Sequence, residues 1–478
     1  MGITVYNSLM RRKEELIPLE KGKFSMYVCG PTVYDEPHIG HARSAYVFDL
    51  IRRYLIWRGY EVKFVRNVTD VDDKIIDKAR NEYPEEELQI SFKKVADKYL
   101  ESYHCALDKL GIAYKEPQVI EPKASQYIPK MITFIEELLK RKVAYVSNGD
   151  VYFDISQAKS YGKLSNQSLE KMEAGARVAL NEQKRNPLDF ALWKKAKKEE
   201  PCWDSPWGKG RPGWHIECSV MSSDILGDAF DIHGGGIDLI FPHHENEIAQ
   251  SEAAGKSFAR YWLHHGLLTI NGQKMAKSLG NFITVEDFLR RYKYASILKL
   301  FFLSTHYSHP IDYTETKISE AKQALERISI LWHKINTLKI QKVFSHFDNH
   351  LLDNLRQEFV AAMDDDFNTP KAVACLFELI SQTNKNILDK MFVAQAQILF
   401  SDFLKVLGID INEVVTVTSY KETNQDEENK RIEELIQRRL QAKRQRNFLE
   451  ADRIRKELEQ EGIILEDTKE GTTWRRKL

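Results

Sequence analysis

Two short segments far apart in the chain carry residue types suited to binding a nucleotide triphosphate. His38, Gly40 and His41 stand where an apolar strand passes into a helix, and Lys274 and Lys277 stand on a loop bounded by glycines. Backbone N–H groups at a helix start favour phosphate oxygens, a glycine lets a purine approach the backbone, and lysines neutralise charge on pyrophosphate. We expect both histidines and both lysines to be catalytic, with Gly40 and Lys277 also contacting the nucleotide.

A second group of residues has the side chains of a metal site. His243 and Glu247 are four residues apart, which puts both on one helical face. Cys29 ends the first strand and Cys218 lies in a later helix, and ligands of open α/β sheets gather at the C-terminal ends of strands. Two thiolates, an imidazole and a carboxylate make a plausible tetrahedral zinc shell. The residues alone leave an alternative: two small buried hydrophobic cysteines and a helix-capping histidine.

Three consecutive glycines, Gly234, Gly235 and Gly236, stand just before the acidic residue Asp238. Glycines allow a ribose to approach the backbone closely, and a carboxylate accepts hydrogen bonds from sugar hydroxyls. The glycines would also suit a turn, but that reading leaves the acid without a role. We therefore assign all four residues to nucleotide binding.

These residues need a scaffold that brings distant segments together, and the sequence pattern predicts an α/β fold. Strands at about 24–29 and 61–66 flank a helix at 41–58, which indicates a βαβ crossover in a parallel sheet. Prolines and short elements at about 115–210 indicate an insertion. We expect a Rossmann-like, doubly wound parallel sheet with this insertion, followed by an α-helical bundle and a small α+β C-terminal domain.

The domain boundaries follow from the same pattern. A catalytic domain is expected over 1–315, with the lysine loop at 274–278. Apolar residues at helical spacing predict a helical bundle over 316–408. Residues 409–430 are polar and aperiodic, which is typical of a linker. Residues 431–478 form the predicted C-terminal domain.

Composition limits the class of protein. The chain has 478 residues, 42% of them hydrophobic and 29% charged, so it can bury a large core. Its five cysteines are widely spaced, without a CxxC pair, which argues against a disulfide framework. The absence of a long apolar run or a signal pattern favours a cytoplasmic protein without membrane attachment. Lys and Arg balance Asp and Glu at 70 each, so an RNA site must come from local clustering.

Such clustering occurs near the C-terminus. Five basic residues lie within nine positions, and helical spacing puts Arg439, Lys443 and Arg446 on one face. Phe448 and Trp474 offer rings on which unpaired bases can stack. A solvated basic helix face is the alternative. The tail is therefore a predicted RNA-binding region.

The two phosphate-handling segments resemble the HIGH and KMSKS signatures of class I aminoacyl-tRNA synthetases, with Ala276 in place of the usual serine of the second. Longer stretches resemble the cysteinyl-tRNA synthetase family: Phe24–His41, Trp214–Met221 and Asp231–Gln250. The tail Arg438–Arg476 resembles that family's anticodon-binding domain. The resemblance implies one zinc ion per chain, held by Cys29, Cys218, His243 and Glu247.

The same resemblance suggests roles for further residues. Trp214 and Thr69 are expected on the bound amino acid, with Tyr27 and Asp70 flanking the pocket. Asp452 and Trp474 are expected to read the anticodon. Ala276 puts one loop hydroxyl contact in doubt, but the two charged lysines of the motif are retained.

The expected activity is that of a ligase acting in two steps. L-cysteine would react with ATP, with Mg²⁺ on the phosphates, and the cysteinyl group would pass to tRNA(Cys). Cysteine and serine differ by one atom, which pocket shape distinguishes weakly, whereas a soft zinc–thiolate bond selects sulfur. The resemblance implies a monomer. Two alternatives stay open: a cysteine ligase of mycothiol synthesis, and a zinc-bearing RNA-binding protein without catalysis.

Overall fold

The computed structural model describes residues 2–168, 184–338, 349–411, 426–468 and 471–476. The strands, numbered in chain order, are β1 (Thr4–Asn7), β2 (Arg12–Glu15), β3 (Lys23–Val28), β4 (Glu61–Arg66), β5 (Val119–Ile120), β6 (Ala144–Ser147), β7 (Asp150–Phe153), β8 (Phe190–Lys195), β9 (Gly210–Pro212), β10 (Ala229–Gly236), β11 (Phe258–His265), β12 (Leu268–Ile270), β13 (Gln273–Lys274), β14 (Ile311–Tyr313), β15 (Ile463–Thr468) and β16 (Gly471–Arg476).

The helices are numbered in the same way. They are α1 (Ile39–Trp57), α2 (Asp73–Glu82), α3 (Leu88–Lys109), α4 (Ile128–Lys140), α5 (Trp214–Leu226), α6 (Glu245–Ala253), α7 (Val285–Tyr292), α8 (Ala295–Leu303), α9 (Glu315–Thr337), α10 (His350–Asp364), α11 (Thr369–Lys385), α12 (Lys390–Leu407), α13 (Asp426–Arg444) and α14 (Phe448–Gln460).

The central sheet has five strands in the order β11-β10-β3-β4-β5, and every neighbouring pair is parallel. From β3 the chain moves outward through β4 to β5, and from β10 it moves outward the other way to β11. The order therefore reverses between β3 and β10, which is the switch point where open α/β sheets bind ligands. This sheet confirms the predicted α/β class.

The helices that flank the switch point begin close to the predicted positions. Helix α1 follows β3 and buries a stripe that includes Leu50, Ile51 and Tyr54 against the sheet. The sequence predicts a helix from Pro242. Helix α6 is assigned from Glu245, but the only non-helical backbone in Ile240–His244 is at Phe241 (φ −136°, ψ 131°), so helical geometry starts at Pro242 as predicted. The insertion contains an antiparallel sheet in the order β6-β7-β8-β9.

The predicted helical bundle consists of α9 to α12 and packs directly on α1. Buried residues of α1 and of the bundle belong to one continuous apolar core. The Tyr54 hydroxyl donates to Asp364 Oδ1 at 2.6 Å, and the Tyr46 hydroxyl donates to the Leu407 carbonyl at 2.6 Å. Of the predicted linker, 412–425 lies outside the described residues, and its last five residues belong to α13, which begins at Asp426.

The C-terminal segment is a helical hairpin, α13 and α14, followed by the strand pair of β15 and β16. The predicted basic face of α13 is wrong. Arg439 is only 2% exposed, because it follows Leu435 and Ile436 at helical spacing and lies on the same buried side. Arg446 is exposed but lies past the helix end with a φ of 59°, and Lys443 is half-buried.

The lysine loop is carried by a small three-stranded sheet in the order β13-β12-β14. Strand β12 follows β11 of the central sheet after a short connection, so the loop starts close to the C-terminal edge of that sheet. Within the described ranges, no helix combines the length and the apolar character needed to cross a membrane.

Candidate active site

The four predicted metal ligands meet at the C-terminal ends of β3 and β10. One ligand atom from each of Cys29, Cys218, His243 and Glu247 lies within 4.8 Å of the others. The two sulfurs are 3.8 Å apart, and His243 Nε2 lies 2.9 Å from Glu247 Oε1. A tetrahedral zinc ion with Zn–S bonds of about 2.3 Å requires a sulfur–sulfur distance of about 3.8 Å. The residues present therefore fit such an ion.

Close packing behind the first ligand positions it. Gly30, next to Cys29, donates its N–H to Asn67 Oδ1 at 2.9 Å. A Cβ at Gly30 would lie 1.6 Å from the Asn67 carbonyl oxygen, so no larger residue fits without moving the backbone. The end of β3 is thus held against the segment that follows β4.

Four histidines outside the predicted ligand set surround the cluster. His215 Nδ1 lies 3.0 Å from His243 Nδ1. His233 Nε2 lies 2.7 Å from Glu247 Oε2, His244 Nε2 lies 3.3 Å from Cys29 Sγ, and His244 Nδ1 lies 2.8 Å from His264 Nε2. Both His233 and His244 fall in the stretch Asp231–Gln250, between and beside the predicted ligands, which was the available signal.

The extra histidines create a second possible ligand set. Cys29, His233, His244 and Glu247 also bring ligand atoms within 4.8 Å of one another. We favour the set that contains Cys218, because it uses both thiols, which are the softest ligands in the cluster and the ones that suit zinc. His233 then orients the Glu247 carboxylate, as outer partners of metal ligands commonly do.

Interactions within the cluster shift the pKa values of its four residues, and they favour the charged forms of Cys218, His243 and Glu247. Burial opposes ionisation of Cys218, but the hydrogen bond from the Cys29 thiol and the nearby His243 lower the Cys218 pKa to about 6. Burial and the Cys218 partner raise the pKa of Cys29. Against the effect of burial, Glu247 and Cys218 raise the pKa of His243 to about 10. Against the same effect, His233 and His243 lower the pKa of Glu247 to about 2.

The predicted substrate residues occupy different positions around this cluster. Tyr27 is fully buried, and within the described part of the chain its hydroxyl has no hydrogen-bond partner. Trp214 is 39% exposed and stacks on the His243 ring at 4.2 Å, so it is not a packed core residue. The Thr69 hydroxyl donates to Glu217 Oε2 at 3.1 Å, and the buried Glu217 was not singled out from the sequence.

Asp70 differs from the other three predicted substrate residues. Its carboxylate accepts from the Ser125 N–H at 2.8 Å and from the Ser125 hydroxyl at 2.5 Å, which uses both oxygens to hold the turn before α4. That Asp70 flanks the substrate pocket stays a prediction.

The two histidines of the first signature motif cap α1, and their hydrogen bonds determine which ring nitrogen carries the proton. His38 Nδ1 accepts from the N–H groups of Gly40 at 3.1 Å and His41 at 3.3 Å, and His41 Nδ1 accepts from the His38 N–H at 3.4 Å. Backbone N–H groups only donate, so both Nδ1 atoms are unprotonated. Burial lowers the pKa of His38 to about 4, and burial also lowers that of His41. Both rings are therefore neutral at pH 7, with the remaining proton on Nε2 as a donor.

The two signature motifs lie side by side although they are distant in sequence. The Ile39 N–H donates to the Ile283 carbonyl at 3.1 Å, and the His38 ring contacts the Phe282 ring with centroids 5.2 Å apart. The Lys277 ammonium lies 5.0 Å from the centroid of the same Phe282 ring. Lys274 is exposed. The structure thus brings Lys277 of the second motif close to His38 of the first, with the Phe282 ring between them.

A buried arginine joins the supports of the two motifs. Arg43 of α1 is 1% exposed, and its guanidinium donates to the carbonyls of Gly266 at 2.6 Å, Leu267 at 2.8 Å, Tyr307 at 3.1 Å and His309 at 2.6 Å. Burial lowers the Arg43 pKa to about 10, which leaves it charged at neutral pH. The segments on either side of the lysine loop are therefore tied to the helix that carries the first motif.

The three glycines lie in a strand and not in a turn. Gly234, Gly235 and Gly236 form the end of β10 and pair with β11. A Cβ at Gly234 would lie 2.3 Å from the Phe48 ring, and one at Gly235 would lie 2.7 Å from the His244 ring. Packing therefore requires these glycines. Asp238 is exposed in the helical turn that follows.

Comparison with known proteins agrees with this arrangement. The family described as tRNA synthetases class I (C) catalytic domain matches residues 15–323, and the DALR domain family matches residues 358–412. A Cysteine--tRNA ligase of Clostridioides difficile is 47% identical over 99% of both chains. A Cysteine--tRNA ligase of Geobacillus sp. is 48% identical over 99% of both chains.

Solved structures of other synthetases share the fold. A LeuRS of Agrobacterium radiobacter, in a ternary complex with tRNA, superposes with a TM-score of 0.59 at 12% identity, covering 83% of this chain and 85% of its own. A Mycobacterium tuberculosis methionyl-tRNA synthetase gives a TM-score of 0.53 at 13% identity, covering 80% and 89%. Together with the full-length relatives, these matches show that the chain belongs to the cysteine–tRNA ligase family of class I aminoacyl-tRNA synthetases.

Proposed function

We propose that the chain is a cysteine–tRNA ligase, which activates L-cysteine with ATP and transfers the cysteinyl group to the terminal adenosine of tRNA(Cys). One observation carries the proposal: a buried group of two thiols, an imidazole and a carboxylate beside two phosphate-binding motifs. The motifs supply adenylation chemistry, and the cluster supplies a reason for choosing cysteine. Family membership with full-length relatives at 47% identity supports the same conclusion.

Zinc is the proposed occupant of the cluster, with one ion per chain held by Cys29, Cys218, His243 and Glu247. A bound zinc ion would supply a soft, charged partner for a substrate thiolate, which a serine hydroxyl cannot match. The chain's own residues complete the pocket: Tyr27 packs against the two cysteines, and Trp214 covers His243 on the accessible side. Thr69 lies close by through its bond to Glu217.

The nucleotide is proposed to lie over the start of α1. The Nε2–H groups of His38 and His41 are available as donors to phosphate oxygens, because the backbone occupies both Nδ1 atoms. Lys274 and Lys277 are proposed to neutralise the charge that develops on pyrophosphate, with Mg²⁺ on the phosphates. Gly40 allows close approach of the nucleotide, and Gly234–Gly236 with Asp238 are proposed to lie along the ribose.

Positioning and charge neutralisation carry the first step in this proposal. The cysteine carboxylate attacks the α-phosphate and pyrophosphate leaves, so no protein side chain needs to form a covalent bond. Neutral imidazoles suit this role, since they donate hydrogen bonds to the reacting phosphate without a change in their own protonation.

The tRNA is proposed to contact the helical bundle of 316–408 and the C-terminal domain of 431–478. On that domain Asp452 and Arg446 are exposed, and Lys443 and Trp474 are half-buried, so they are accessible candidates for anticodon contacts. Arg439 is withdrawn from this set because its side chain is buried. Each chain is proposed to act as a monomer.

Cysteine-dependent ATP–pyrophosphate exchange is the direct test of the activity. Cys218→Ser should lose bound metal and raise the KM for cysteine far more than the KM for ATP. Cys105→Ser is the matched control, since that thiol is exposed on α3 outside the cluster. Unchanged metal content and cysteine affinity in Cys218→Ser would contradict the ligand assignment.

The acceptor is tested separately. Removal of 426–478 should leave exchange intact and abolish charging of tRNA(Cys). Charging of an amino sugar by the complete chain would identify the mycothiol-type ligase instead. A chain without any exchange would be a binding protein and not an enzyme.

A further inference from the structure

A carboxylate just ahead of the first signature motif contacts the second motif. Asp35 stands three residues before His38, and its Oδ2 forms an ion pair with the Lys277 ammonium. Asp35 Oδ1 accepts from the Glu36 N–H at 2.9 Å and lies 3.5 Å from Lys78 Nζ on α2. The Asp35 side chain is only 16% exposed. This carboxylate is therefore held by the loop backbone and by α2, independently of the lysine loop.

The other partner, Lys277, lies at the surface. The Lys277 side chain is 56% exposed, and it lies on a loop between Gly272 and Gly280, which have φ values of +76° and +65° and open space around them. Its ammonium lies against the Phe282 ring, which in turn contacts the His38 ring. Lys277 is thus paired with the Asp35 carboxylate, next to the residues proposed to bind phosphate.

The charge on Asp35 has a second partner. Lys78 also lies 3.3 Å from Glu82 and 5.3 Å from the Tyr99 ring centroid, which keeps its ammonium near the carboxylate when Lys277 leaves. Bonds from Lys277 and the Glu36 N–H lower the pKa of Asp35 against the effect of burial, so the group is ionised at neutral pH. A triphosphate carries more charge than one carboxylate and competes for Lys277 with an advantage.

We propose that Asp35 is a positioning residue for adenylate formation, which holds the Lys277 ammonium beside His38 in the nucleotide-free chain and yields it to the incoming triphosphate. Lys78 remains as the counterion of Asp35 after this exchange. The proposal rests on the proposed function for its catalytic meaning, but the ion pair itself is testable without any activity. It makes Lys277 an element that changes partner during the reaction cycle.

The size of the effect follows from the exposure of the pair. An ion pair with an exposed partner shifts an equilibrium by up to about fivefold. Asp35→Asn removes the competing charge but keeps the shape and the Oδ1 acceptor, so the KM for ATP should fall by about two- to fivefold. Removing Lys78 leaves Asp35 with Lys277 as its remaining ammonium partner, so Lys78→Met should raise the KM for ATP. Two substitutions around one carboxylate thus have opposite expected effects.

Trypsin provides a readout that does not depend on catalysis, because it cleaves after lysine. In the nucleotide-free chain, Asp35→Asn should speed cleavage after Lys277 several-fold and change cleavage after Lys274 little. Glu286→Gln is the matched control: its carboxylate pairs with Lys109 near the same loop and should change neither rate. An unchanged rate at Lys277 in Asp35→Asn would overturn the proposal.

A double-mutant cycle separates the proposed exchange from simple repulsion of ATP by Asp35. In a Lys277→Met background, Asp35→Asn should leave the KM for ATP unchanged, because the partner through which it acts is gone. An equal fall in both backgrounds would mean that Asp35 acts on ATP directly and would overturn the proposal. A change in the KM for ATP in the same direction in Asp35→Asn and Lys78→Met would also overturn the proposal. A chain without exchange activity but with the expected trypsin pattern would refute the proposed function and leave the ion pair established.

Discussion

Metal binding to the cluster should release two protons at neutral pH. In the metal-free chain the pKa of Cys29 is raised and that of His243 is raised to about 10, so both are protonated at pH 7. The pKa of Cys218 is lowered to about 6 and that of Glu247 to about 2, so both are already ionised. A metal ligand must give up its proton on binding. The difference between the two states is therefore two protons.

The magnitude follows from linkage. The metal-free chain binds more protons than the loaded chain, so the affinity for zinc rises with pH. Each released proton changes the binding free energy by about 1.36 kcal/mol per pH unit. Two protons give about 2.7 kcal/mol, which is about a hundredfold in Kd per pH unit between about pH 7 and pH 9. Below about pH 6 the slope should approach three, as Cys218 also becomes protonated.

Competition with a chelator of known affinity measures this slope, after correction for the protonation of the chelator. Two variants show which ligands release the protons. His243→Asn should reduce the slope to one, because it removes a ligand that is protonated before binding. Cys218→Ser should weaken binding but keep a slope of two near pH 8, because that ligand has no proton to release there. A slope of one or less in the unmodified chain would refute the charge assignment.

Three further outcomes are expected. Arg43→Met should lower the free energy of unfolding by about 2–4 kcal/mol in urea titrations, at about 0.5–1 kcal/mol for each of the four lost hydrogen bonds; a loss of less than about 1 kcal/mol would mean that water replaces the guanidinium. Gly30→Ala should abolish zinc binding, measured as metal content. The added Cβ would lie 1.6 Å from the Asn67 carbonyl oxygen, and relief of this contact moves Cys29 or Asn67. The movement exceeds the roughly 0.2 Å that a metal site tolerates. Acid should destabilise the chain, because burial lowers the pKa of several histidines and the unfolded chain binds their protons first. Each such histidine contributes stability that is lost below about pH 6.5 at up to about 1.4 kcal/mol per pH unit. Urea midpoints at several pH values measure the combined loss, which includes His38, His264 and His265 with pKa values of about 4, 3 and 4.

Much of the scaffold could be predicted because its signals are local. Apolar runs bounded by polar residues located β3 and β4 to within a residue, and helical periodicity located α1 and the bundle. The parallel, doubly wound character of the sheet was predicted from the sequence, whereas the order of its strands comes from the structure. The helical geometry that starts at Pro242 could also be predicted, because the fixed φ of proline suits the first position of a helix.

The error at Arg439 shows what a charge pattern hides. A cluster of basic residues was interpreted as one exposed face, but the apolar residues of the same helix, Ile432, Leu435 and Ile436, already define a buried stripe. Arg439 lies four residues after Leu435 and three after Ile436, so it continues that stripe. The hydrophobic periodicity was therefore the stronger signal, and the charges on the remaining faces follow from it.

The histidines around the metal ligands were missed for a different reason. A side chain that orients a ligand is recognised by contact and not by spacing, and the contacts of His233 and His244 join residues from separate elements. The proposed ligands themselves could be assigned from the resemblance, because they lie in the stretches that resemble the family. The hydrogen bond from Ser125 to Asp70 could not be predicted, because the two residues lie far apart in sequence and the chain pattern does not pair them.

The arrangement of the cluster separates the role of the metal from the stability of the fold. In small zinc domains the ligands come from short local segments, and metal binding supplies the folding energy. Here the ligands come from three separate segments. Two of these segments are already held by bonds that need no ion: Gly30 to Asn67 behind Cys29, and His233 to Glu247. The sheet beneath them is closed by apolar packing that extends into the bundle. We infer that the metal proposed for this site is available to bind the substrate, since packing and hydrogen bonds that need no ion already hold its surroundings.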